Sequence, residues 1–90
     1  MMKQFFEAEQ YALQAIKLDP NNYWILLHLS KTYIASNNIK KAIPVYQKIA
    51  EQNPKEREKL VYLYFQNNQL NRAKSLLSTL EKENQLSQNL

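Results

Sequence analysis

Ninety residues make one small domain, near the size at which a single hydrophobic core only just suffices. A hydrophobic content of 44% is ordinary for a folded chain, and a formal charge of +4 permits an acidic partner without demanding one. The absence of Cys excludes disulfides, thiolate metal sites and a cysteine nucleophile. The absence of Gly excludes glycine-rich phosphate loops, and no apolar run approaches the ~18 residues of a membrane span.

From Phe5 to Leu18, apolar residues fall at Phe5, Ala8, Ala12, Ala15, Ile16 and Leu18, a stripe of helical period. The apolar part of Met1–Phe6 is too short for a signal peptide. Asp19-Pro20-Asn21-Asn22 reads as a stop and restart, because the residue before Pro leaves the α region and Asn caps the next helix. A second helix is expected from Tyr23 to Ser36, with Leu26, Leu29 and Tyr33 on one face. Asn37-Asn38 closes it, Asn being the best non-Gly residue for a left-handed turn.

The third helix runs from Ile39 to Gln52 with Ile39, Ala42, Ile43, Tyr46 and Ile49 inward. Pro44 lies close enough to its start that at most a slight kink is expected. Pro54 opens a fourth helix over Lys55–Gln66, and a fifth runs from Leu70 to Asn84, followed by an aperiodic tail over 85–90. The expected buried set is Ala8, Ala12, Ala15, Leu26, Leu29, Tyr33, Ile39, Ala42, Ile49, Leu60, Tyr64, Leu70, Ala73 and Leu77, with Ala42 and Ala73 at close helix crossings.

Pro20 and Pro54 stand 34 residues apart, and between them lie Leu26-x-x-Leu29-Ser30-x-x-Tyr33 and Ala42-x-x-x-Tyr46. This resembles the tetratricopeptide repeat (TPR) pattern W-x-x-L-G-x-x-Y, A-x-x-x-F, P, with every slot filled in kind. Ala8-x-x-x-Ala12 before Pro20 repeats the second half of that unit. The stretch Leu60-Val61-x-x-Tyr64 with Ala73-x-x-x-Leu77 repeats the whole of it at a spacing shortened to 31 residues. The resemblance implies an all-α, right-handed helical-repeat solenoid of five antiparallel helices. It would comprise a half repeat (1–20), a full repeat (21–54), a degenerate repeat (55–84) and a tail (85–90). An odd helix count suits a piece of a longer array.

No catalytic constellation is legible. His28 has no carboxylate within a helical turn, and Glu56 and Glu58 are interleaved with Lys55, Arg57 and Lys59 as a solvated helix start. No metal ligand set and no cofactor are expected. The TPR resemblance instead implies a peptide- or protein-binding groove lined by the first helix of each unit. Those positions are Trp24, Leu27, His28, Lys31 and Ile34, then Lys55, Glu58, Lys59, Tyr62 and Phe65. Their mixture of aromatic anchors and lysines suits a partner surface. Leu27 and Lys31 stand where the carboxylate-clamp subgroup of the family has Lys and Asn, which disfavours chaperone-tail binding.

Two other readings compete. Between Lys40 and Lys74 there are eight basic residues against three acidic ones, which admits a nucleic-acid binder. Yet Lys40, Lys41 and Lys48 fall on a second helix, away from the expected groove, and a solvated charged face accounts for them. The terminal helices also lack neighbours, leaving Phe5, Phe6, Tyr11 and Leu13 at one end and Leu76, Leu80 and Leu86 at the other. Self-association through an end would cover them.

Overall fold

A computed structural model describes residues 2–88 of the chain, and side chains from Gln4 to Asn84. Its helices are α1 (Met2–Leu18), α2 (Tyr23–Ala35), α3 (Ile39–Gln52), α4 (Arg57–Gln66) and α5 (Leu70–Gln88). The chain belongs to the all-α class, and its helices form a helical repeat. Each helix packs against the next in sequence, whereas α1 and α3 stand apart across α2, as α3 and α5 do across α4. The result is a slab of 48 × 27 × 16 Å with α1, α3 and α5 in one layer and α2 and α4 in the other.

Asparagine does the local work of starting and stopping helices. The Asn22 side chain accepts from the Ile25 N–H at 3.1 Å, satisfying one of the free donors at the start of α2. Asn37 adopts φ 61° and Asn68 φ 59°, the left-handed conformation that ends a helix. After α2, the N–H groups of Asn37 and Asn38 bond to the carbonyls of Ile34 and Tyr33. After α4, those of Asn68 and Gln69 bond to Phe65 and Tyr64 in the same pattern. The two turns are therefore one device repeated at 31 residues, the shortened spacing read from Ala42 and Ala73.

Pro44 sits beyond the free first turn, since the Ala42 N–H already bonds to Asn38, so it forfeits one intrahelical bond to the Lys40 carbonyl. Pro44 and Lys40 are both exposed, and α3 continues unbroken. Pro54 opens a 3₁₀ turn (Pro54–Glu56) rather than α4 itself, because the Asn53 side chain accepts from the Lys55 N–H and tightens the entry. At the other end α5 continues as helix through Gln88, past the expected stop at Asn84. The side chains of Gln85–Leu90, including Leu86, lie outside the described residues.

The core joins two clusters. Ala12, Leu29, Tyr33 and Ala42 tie α1 to α2 and α3; Leu26, Ile43, Tyr46, Ile49, Leu60, Val61, Leu63, Tyr64 and Ala73 carry the core on to α5. Ala42 and Ala73 are both 0% exposed. Ser30, in the slot where the family pattern has Gly, is fully buried, and its hydroxyl is satisfied by donating to the Leu27 carbonyl at 2.9 Å.

Leu70 and Leu77 depart from expectation at 46% and 40% exposed. Successive residues turn about 100° around a helix, which puts Ala73, Leu76 and Leu80 on the side of α5 that meets the core. Leu76 and Leu80 accordingly pack against it rather than lying uncovered. Leu77 occupies the place of Tyr46, which is covered by the turn and helix that follow α3. Among the described residues nothing follows α5 to cover Leu77. Ala8, Ala15 and Ile39 are half-buried for a related reason, lying toward the edges of their packed faces.

Candidate interaction surface

On α2, Leu26, Leu29 and Tyr33 are buried, which places Trp24, His28 and Lys31 about 180° around the helix, on the outer side of the two-helix layer. All three are exposed, Trp24 to 75%, with its ring edge-on to Tyr23 at 5.5 Å. Tyr23 is held in turn by the Asn53 side chain, which donates to its hydroxyl at 3.1 Å. On α4, Glu58, Lys59, Tyr62 and Phe65 are exposed, as is Lys55 in the preceding turn. Leu27 and Ile34 do not join this surface fully: both are half-buried and pack on the core. Of the ten expected groove residues, these two carry structure as much as surface.

One concavity, of about 560 Å³, takes in Lys55 and Glu58 between the start of α4 and α5. Two clefts lie on the opposite side of the slab, where the three-helix layer leaves gaps. Between α1 and α3, floored by α2, is a cleft of about 380 Å³ lined by Leu13, Leu29, Tyr33, Val45 and the lysines 40, 41 and 48. Between α3 and α5, floored by α4, is its repeat, about 650 Å³, lined by Gln47, Leu60, Tyr64, Arg72 and Ser75. Neither belongs to the expected groove. Their one sequence signal is that Lys40 and Lys48 flank Pro44 on one side of α3, with apolar residues beside them.

Polar pairs fix the walls. Buried Tyr33 has its phenol pushed up to about 12, first by burial and then by the neighbouring Glu9 carboxylate. Lys41 pairs with Glu9 at 3.9 Å and stands 6.0 Å from the centre of the Tyr33 ring. The Tyr46 hydroxyl donates to the Glu56 carboxylate; burial, then that bond, holds its phenol well above the ordinary value. Arg57 clamps Glu83 through two bonds of 3.1 and 2.5 Å, tying the start of α4 to α5. Gln47 donates to the Tyr64 hydroxyl at 2.8 Å, joining α3 to α4. No group of three or more His, Cys, Asp or Glu that could hold a metal ion occurs among the described residues, and no described helix is long and apolar enough to cross a membrane.

Residues 1–58 match the sequence profile described as "Tetratricopeptide repeat"; the region after α4 begins lies outside that match. The chain is also similar to a tetratricopeptide repeat and J domain-containing co-chaperone, DNJ1, of Fusarium oxysporum f. sp. lycopersici. The two are 35% identical over 54 residues, 60% of this chain and 10% of the co-chaperone. The chain thus spans about a tenth of that relative's length.

Proposed function

Because the chain belongs to the tetratricopeptide repeat family, whose repeats serve generally as protein–protein interaction modules, we propose that it is a non-catalytic scaffold that binds a peptide or protein segment along the outer face of α2 and α4. The observation that supports this most is the exposure of Trp24, His28 and Lys31 on the outer side of α2, together with that of Tyr62 and Phe65 on α4. Large aromatics left in water on a small domain are the usual anchors of an interface. The similarity to a co-chaperone is consistent with such a role.

Trp24 is the only tryptophan, so its emission reports directly on this face. Peptides selected from a displayed library against the whole chain are expected to shift that emission to the blue, and the double substitution Trp24→Ala, Tyr62→Ala is expected to abolish their binding. Failure to select any binder, or binders indifferent to both substitutions, would overturn the reading.

A second role, association of copies through α1, is favoured by one observation: Tyr11 and Leu18 are 73% and 89% exposed on a helix packed chiefly against α2. Light scattering at high micromolar concentration separates the two roles. A monomer that Tyr11→Glu leaves unchanged would exclude association.

A further inference from the structure

We infer that the cleft between α1 and α3 is a second binding site, on the opposite side of the slab from Trp24, and that it takes an acidic peptide segment with an apolar residue at its centre. Its floor is apolar: Leu26, Leu29 and Tyr33 of α2 reach it from below, Leu13 and Val45 from either wall. Leu13 is 36% exposed there, in water where a partner's side chain could cover it.

The rim on the α3 side is cationic. Lys40 and Lys48 are exposed and form no ion pair among the described residues, while Lys41 is turned to Glu9 and the Tyr33 ring. Glu9 is 18% exposed, so the carboxylate that faces this rim is engaged already and leaves a net positive edge. The two free lysines lie eight positions apart on one helix, about 12 Å along its axis. An extended peptide spans that distance in about four residues, enough to set one apolar side chain over the floor with a carboxylate on either side.

The repeat architecture supplies an internal comparison. The cleft between α3 and α5 is built by the same helices one unit on, with Leu60 and Tyr64 in place of Leu29 and Tyr33. There, however, Gln47 stands for Leu13, Asn71 for Lys40, Ser75 for Pro44 and Thr79 for Lys48. The gap between alternate helices comes with the fold, as do Leu76 in the place of Val45 and Arg72 in the place of Lys41; the apolar Leu13 and the pair of lysines at 40 and 48 belong to the first cleft alone. A nucleic acid would use the lysines but not the floor, since phosphate contacts gain nothing from Leu26 and Leu29. The combination favours a polypeptide.

The test uses the whole chain and a fluorescein-labelled hexapeptide with Asp-Glu at each end and Leu-Phe at its centre. Two controls replace the ends by Lys-Lys or the centre by Ser-Ser. At low salt the acidic, apolar-centred peptide should bind at least about tenfold more tightly than either control, a difference of about 1.4 kcal/mol, and should weaken as salt rises. The double variant Lys40→Glu, Lys48→Glu should raise its Kd at least about tenfold, and Leu13→Ser should weaken it independently of charge. Circular dichroism should show both variants folded, since all three side chains reach solvent.

Trp24 emission should not move, which separates this site from the outer face of α2. Equal binding of the controls, an unchanged Kd in the double variant, or a response from Trp24 would each overturn the inference. So would an oligouridylate that binds through the same lysines more tightly than the peptide.

Discussion

Ala42→Leu is the sharpest test of the repeat register. Ala42 is 0% exposed and packs with Ala12, Leu29 and Tyr33, so α1, α2 and α3 all meet around its methyl group. Leucine adds an isopropyl group where no surface is open to receive it, and the options are to push α3 off α2 or to force Tyr33 from its rotamer. Overpacking of this kind costs about 1–3 kcal/mol. For a domain of this size each kcal/mol lowers Tm by about 4–8 °C, so a fall of at least about 4 °C is expected in a thermal melt followed by far-ultraviolet circular dichroism. Ala73→Leu should behave alike, because Ala73 is the same position one unit on and equally closed. Ala35→Leu, on the exposed end of α2, should stay within about 0.5 kcal/mol of wild type. An Ala42→Leu protein as stable as the Ala35 control would mean that the small residue is not required at this crossing, and the register argument would fail.

Other outcomes follow from the same geometry. Asn37→Ala should cost about 1 kcal/mol, since alanine gains nothing from the left-handed turn, whereas Asn37→Gly should be near neutral; denaturant midpoints decide, and equal midpoints would refute the turn's role. Leu80→Ala should cost about 2 kcal/mol or more because Leu80 packs on the core, whereas Leu77→Ser should be mild. Equal losses would contradict the assigned face of α5. Tyr33 ionises at about 12 when folded, against about 10 in an unfolded chain. Between those values the unfolded state holds fewer protons, so stability present below pH ~10 should fall as pH rises toward ~12. A melt series that stays flat across that window would count against it. The Arg57 hydrogen bonds hold the Glu83 carboxyl below the usual carboxylate range. Glu83→Gln should therefore speed amide exchange in the last turns of α5, and unchanged exchange would show the clamp to be idle.

What could be read in the sequence was local. The Asn-Asn closure of α2, the start of α3 at Ile39 and the pairing of Ala42 with Ala73 rest on short-range rules, and the helices obey them. What could not be read depends on non-consecutive helices. Leu77 carries the same pattern signal as Tyr46, but burial is decided by what comes next in space, and only Tyr46 is covered. Leu27 and Ile34 fall on the groove side by helical spacing, yet they lie far enough round to reach the core. The lysines of α3 read as a solvated face because nothing in their spacing reveals that α1 stands off from α3 and leaves a floor of α2 between them.

The helices pack chiefly on their neighbours in sequence, and this has a consequence for how the molecule is made and unmade. Contacts between segments close in the chain form without closing large loops, so the search for the native state is short and folding belongs to the fast end of the range for small domains. A fold of this kind need not melt as a block. Opening a terminal helix breaks one interface, whereas opening α3 breaks two, so the chain peels from its ends while its centre persists. A partner bound across α1 and α3 would fasten the first helix to the part that opens last, and so would oppose that peeling at one end.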